Sequence, residues 1–225
     1  MPNTPHSAPS LWDISPPVYV GMPVFPGDTP YQQQWVASIG PGCPVNVASI
    51  TSTPHAGAHA DAPLHYAPDG ATIGQVDLAP YLGRCRVVHA IGCGPLIEWQ
   101  HIEHAISDDL PERVLVRTYQ QMPQTQWDAG LTGYAAETVE RLAALGVRLI
   151  GIDTASIDPA DSKALPSHQT IRRHDMRVLE NLVLDAVPEG DYELIALPLK
   201  LVQADASPVR AVLRALPGTY NQATA

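Results

Sequence analysis

Apolar and polar positions change their period several times along the chain. Residues 12–28, WDISPPVYVGMPVFPGD, keep neither a helix nor a strand rhythm, because prolines and glycines interrupt them every few positions. They read as extended chain broken by turns. VNVASITSTP (45–54) alternates apolar and small polar residues, which predicts a strand running directly into a histidine-rich stretch. CRVVHAIG (85–92) and RVLVRT (113–118) are short β-branched runs and read as strands. TGYAAETVERLAALG (132–146) has the helical period, with Ala135, Val139, Leu142 and Leu145 on one face, Thr132 as N-cap and Gly146 as the stop. VRLIGIDTASI follows at once as an apolar strand, so helix and strand predict an α/β unit. A second helix is expected to lead into VLENLVLDAV, and YELIALPLKLV reads as a final buried strand.

Composition narrows the class. The chain has 225 residues, enough for one domain with a sizeable core. With a single Phe, the core is expected to come from Val, Leu, Ile, Ala and the four Trp. A net charge of −10 without any Lys/Arg run makes nucleic acid and anionic membrane poor partners. No apolar stretch approaches the roughly 20 residues of a bilayer span. MPNTPHSAPS lacks the basic and apolar regions of a signal peptide, so residues 1–10 are expected to be a lead-in, 11–216 the domain and 217–225 a tail. Cys43, Cys85 and Cys93 are odd in number and lack C-x-x-C spacing, which points to small apolar fillers in a reducing cytoplasm. The 23 prolines, scattered among apolar runs, imply many short extended pieces and fixed turns.

The chemistry concentrates in HAGAHADAPLH (55–65). Gly57, Pro54 and Pro63 oppose a helix, and no Glu follows His55, so the H-E-x-x-H zinc motif is absent. Read as extended chain, His55, His59, Asp61 and His65 point to one side. A straight strand would hold His55 and His59 about 13 Å apart, so Gly57 is expected to bend the chain until the rings converge. Two His and an Asp leave open the further coordination position that a catalytic metal needs. Further along, LPSHQTIRRHDMRVLENL offers His168 and Glu180. A carboxylate among apolar neighbours is costly unless paired or metal-bound, although Glu180 also suits a solvent-facing helix position. The other five histidines (6, 89, 101, 104 and 174) lack such context and are assigned to surface or structural roles.

Together, LWDISPPV, VFPGDTP, CPVNVAS, HAGAHADAPLHYAPDG, GIDTASIDP, LENLVL and ADASPVRAV resemble the bacterial kynurenine formamidases. These are cyclase-like, metal-dependent amidohydrolases, and the likeness runs from about Leu11 to about Leu216. The H-x-G-x-H-x-D-x-P-x-H core marks the superfamily, and the flanking segments mark the formamidases. The resemblance implies an α/β swivelling fold with a mixed sheet and flanking helices, and a homodimer. It implies two zinc ions, one held by His55, His59 and Asp61 and the other by Asp61, His168 and Glu180, with Asp61 bridging. His65 matches the proton-transfer histidine. Where the family carries a substrate-contacting Trp, this chain has Phe25, which keeps an aromatic face without the indole N–H.

The implied reaction is hydrolysis of N-formyl-L-kynurenine to L-kynurenine and formate in tryptophan breakdown. It suits the residues: a metal-activated water attacks the formyl carbon, and a histidine carries the proton to the leaving aryl amine. The ligand types also accommodate manganese. Two alternatives share the metal site: a cyclase-like hydrolase of another substrate such as isatin, and a non-catalytic metal-binding protein.

Overall fold

The computed structural model describes residues 11–216; the expected lead-in and tail lie outside the described residues. Its centre is a nine-stranded mixed sheet. Four parallel strands, β5 (Leu82–His89), β7 (Arg113–Arg117), β9 (Leu149–Ile152) and β10 (Arg177–Glu180), lie side by side in that order. Antiparallel strands flank them. On one side come β11 (Gly190–Ile195), β13 (Val212–Ala215) and β1 (Leu11–Asp13); on the other come β4 (His59–Asp61) and β12 (Ala206–Pro208). The expected α/β class with a mixed sheet is what the structure shows.

The middle strands are apolar without a break because both of their faces are covered. Leu115, Leu149 and Leu179 point into one core cluster with Tyr81, Leu182 and Leu213. Their neighbours Val114, Ile150 and Val178 point into the other. Helices α3 (Ala136–Ala144) and α4 (Pro166–Arg173) close that second face with Val139, Leu142 and Ile171. At Gly151 a Cβ would meet Leu115 Cδ2 at 2.5 Å and Leu182 Cδ1 at 3.0 Å, so a side chain there would force these buried leucines to shift.

Several expectations need correcting. Helix α3 starts at Ala136 with Ala135 in the capping position, while Thr132 donates its hydroxyl to the Gly94 carbonyl instead. Leu145 follows the helix and is exposed. The strand in YELIALPLKLV stops at Ile195; the proline-broken remainder runs as a loop exposing Leu199 and Val202, and two further strands follow. Only Trp12 among the four Trp is buried, whereas Tyr81 and Tyr134 fill the core. Gly133–Tyr134, expected inside the helix, form strand β8 paired with β6 (Leu96–Ile97), and the short helix α2 (Trp99–Ile102) follows β6. Cys85 does fill the core, and all three cysteines are free thiols. No described helix is long and apolar enough to cross a membrane.

The predicted strand before the histidines is β3 (Val47–Thr51), and it ends short of them. It pairs with β2 (Gln32–Ala37) in a separate two-stranded ribbon that exposes Trp35, Val36, Val47 and Ile50.

Candidate metal centre and its cavity

HAGAHADAPLH does not form one extended strand. His55 sits in a turn, His59 and Asp61 lie on β4, and His65 lies on the single-turn helix α1 (Pro63–Tyr66). Pro63 opens that helix rather than forbidding it, because a first-turn residue has no intrahelical acceptor for its N–H. Gly57 makes the bend, with φ at +70°, a conformation that costs a side chain free energy. Its carbonyl accepts from His59 Nδ1 at 2.8 Å, which turns His59 Nε2 inward.

Strand pairing then brings distant residues together. Glu180, the last residue of β10, stands opposite His59 in register. Its Oε2 lies 3.2 Å from His59 Nε2 and its Oε1 lies 3.6 Å from His168 Nε2. The solvent-facing position considered for Glu180 is therefore wrong; it is 3% exposed. Its Oε1 also accepts the Ile157 N–H at 2.8 Å. His168 on α4 donates from Nδ1 to Asp158 Oδ2 at 2.7 Å and faces Asp61 with Nε2. The structure thus gathers all six residues expected at the centre, His65 included.

The donor set fits a cation. His55, His59 and Asp61 can each place a ligand atom within 4.8 Å of the others, and so can Asp61, His65 and His168. His59 Nε2, His168 Nε2 and both Asp61 oxygens are buried without a hydrogen-bond partner. Buried polar atoms rarely stay unsatisfied, and these two imidazoles, whose Nδ1 atoms are already fixed, each turn Nε2 to the cluster on its own side of Asp61. His55, His65 and Asp205 form a third such group; Glu180 is in none of the three, but it touches His59 and His168.

Electrostatics agree. Burial disfavours charge on His55, yet Asp61 and Asp205 on either side outweigh it and raise its pKa to about 10. Burial likewise opposes charge on His168, but Asp158, Asp61 and Glu180 lift it to about 10. Burial would raise Asp61, but His168 and His55 hold it well below the usual carboxylate range. The carboxylates thus favour positive charge at these imidazoles, which a bound cation would supply in place of the protons.

Several site residues escaped the sequence reading. Asp205 joins His55 Nε2 at 2.9 Å to His65 Nδ1 at 3.1 Å. Asp158 is wholly buried behind His168. A cavity of about 630 Å³ opens on the cluster and is walled by Phe25, Trp127, Tyr119, Asp128 and Asp153. Phe25 meets Trp127 edge to face, with centroids 5.0 Å apart, so the wall holds an indole even though Phe replaces the expected Trp. Asp153 was detectable by the criterion that singled out Glu180, a carboxylate inside an apolar run. Asp205 carried no such signal.

Comparison with known proteins agrees with this geometry. The Cyclase family model matches residues 12–159. The kynurenine formamidase of Delftia acidovorans is 73% identical over 206 residues, covering 92% of this chain and 98% of that protein. The structure of a predicted metal-dependent hydrolase from Bacillus stearothermophilus superposes with a TM-score of 0.76 at 30% identity, over 90% of this chain and 97% of that one. Isatin hydrolase A from Ralstonia solanacearum, at 20% identity, a TM-score of 0.77 and 92% of each chain, shares the fold. The chain belongs to the cyclase family, within its kynurenine formamidase group.

Proposed function

We propose that this protein hydrolyses N-formyl-L-kynurenine to L-kynurenine and formate. The observation that carries the reading is that His59 and His168 turn unpartnered Nε2 atoms beside a cavity with an aromatic wall. Two zinc ions are assigned, one to His55, His59 and Asp61 and one to Asp61, His168 and Glu180, with manganese an alternative for the same ligands. When bound, such a cation supplies Lewis acidity towards a carbonyl oxygen and a water.

The chain's own residues do the rest. Phe25 and Trp127 face the aryl ring. His65 is anchored through Nδ1 by Asp205, which leaves Nε2 turned to the cluster, 3.9 Å from Asp61 Oδ2. From there it takes the proton of the attacking water and returns it to the departing aniline nitrogen as the C–N bond breaks. A second copy of the chain is the partner assigned to the exposed apolar ribbon β2–β3, giving a homodimer. The cytoplasm is the assigned compartment, supported by three free cysteines.

The test is hydrolysis of N-formyl-L-kynurenine beside isatin, with and without a chelator. Chelator-sensitive turnover that favours the formamide is expected. Faster turnover of isatin, or full activity without metal, overturns the reading.

A further inference from the structure

The cavity wall carries more negative charge than the hydrolytic chemistry uses. Beyond Asp205, which anchors His65, Asp28, Asp128 and Asp153 line it, and no Lys or Arg is among its described lining residues. Arg117, the guanidinium tied to this wall, donates to the carbonyls of Tyr119 and Gln120 and does not line the cavity. That the cavity takes a ligand rests on separate ground: His59 and His168 open on it with unpartnered Nε2 atoms and are more than nine-tenths buried.

Asp128 is the acid best placed beside a flat substrate. It follows Trp127 directly, whose ring stands against Phe25. Its carboxylate is held rigidly, Oδ2 accepting from Tyr119 Oη at 2.7 Å and Oδ1 from the Gly130 N–H at 2.9 Å. Each oxygen keeps a lone pair. Burial and Asp128 together raise the Tyr119 phenol, so it stays a donor throughout the working pH range. Asp28 differs in being tied to the metal loop, accepting from Thr53 Oγ1, which in turn accepts the His55 N–H. Asp153 is spent on the backbone of Thr118 and Tyr119, and Asp205 on two histidines.

We infer that Asp128, braced by Tyr119, is a specificity-determining residue that receives the α-ammonium of an amino-acid arm on the substrate. This rests on the formamidase reading and deepens it. An aryl ring on Phe25 and Trp127 places its side arm next to Asp128, where a charge-assisted N–H···O contact forms. The α-carboxylate of the same arm finds no Lys or Arg among the described residues of the wall. The site therefore selects a zwitterion by its positive end and disfavours the same aryl formamide carrying the carboxylate alone.

The experiment compares N-formyl-L-kynurenine, its deamino analogue (carboxylate only) and formanilide (uncharged) with metal-loaded wild type, Asp128→Asn and Asp128→Glu. Wild type is expected to prefer the zwitterion and to handle the deamino analogue worst. In Asp128→Asn the preference for zwitterion over formanilide should fall on the order of tenfold, with the loss in KM, while the deamino analogue improves. Asp128→Glu should restore part of the preference. Calorimetric binding of L-kynurenine and its deamino counterpart reads the same discrimination without turnover. If wild type hydrolyses no formamide, the formamidase reading falls while the binding data still decide Asp128. Equal losses on all three substrates, or equal binding of both products by wild type, overturn the inference.

Discussion

The Asp158 carboxylate serves His168 and the helix that carries it at once. It accepts from His168 Nδ1 at 2.7 Å and from the backbone N–H groups of Ser167 and His168 at 2.9 and 3.0 Å. One buried side chain therefore caps the start of α4 and fixes the ring so that Nε2 faces Asp61. Those donors hold Asp158 in its charged form despite burial.

Asp158→Asn tests that relation. The amide NH2 must face either the Ser167 N–H or the two His168 donors, and even with the oxygen kept on His168 the charge that strengthens the orienting bond is gone. Metal affinity should weaken by roughly 10–100-fold, with loss of about 1 kcal/mol of capping stability. Competition with a chromogenic chelator, read beside a thermal melt, checks both. Unchanged affinity in a folded variant would show that the ring does not need Asp158. His59→Ala removes a proposed ligand outright, and metal content should fall together with rate.

His65→Ala should behave differently. His65 is partly exposed and its Nδ1 is held by Asp205, as a proton carrier requires. Its loss should lower kcat by about 10²–10⁴ while metal content stays near normal. Elemental analysis of the purified variant decides between roles. Loss of about half the metal would make His65 a ligand.

Phe25→Ala should mainly raise KM for aryl formamides, because contact with the ring is made in ground and transition states alike. It also removes the edge contact to Trp127, so the wall loosens. Phe25→Trp should retain activity, since an indole offers a similar face. A fall in kcat at unchanged KM would contradict a ground-state binding role. N-formylkynurenine should also be used better than its N-acetyl counterpart.

Asp153 makes stability depend on pH. Burial outweighs its bonds from Thr118 and Tyr119 and raises its pKa to about 6. The folded state then binds more protons than the unfolded chain between about pH 4 and 6, so stability falls as pH rises through that window and levels off above it. At 1.36 kcal/mol per unit this is roughly 3 kcal/mol. In chelated protein, Asp153→Asn lacks the ionisation and should gain on wild type by roughly 2–3 kcal/mol from pH 4 to pH 7, whatever fixed cost the amide adds. Urea melts at pH 4, 5.5 and 7 measure the difference, and a gain in the opposite direction sinks the account.

Local chemistry determined much of this protein from sequence alone. The strands β5, β7 and β9 and the helix α3 follow from apolar period and β-branching, which are short-range properties. The metal-binding character of residues 55–65 was legible because three histidines and an aspartate crowd eleven positions, and because Gly57 could take the left-handed turn that it does take. What escaped was whatever depends on pairing across long separations. Glu180 meets His59 only because β10 lies antiparallel to β4, and Asp205 reaches His55 and His65 across 150 and 140 residues. Leu197, Leu199, Leu201 and Val202 look like part of a buried strand but are exposed, since Pro198 breaks the ladder there. Trp35 and Ile50 are apolar yet lie on a ribbon outside the main sheet. Hydrophobicity says that a residue gains by burial; only the folded topology decides what it can be buried against.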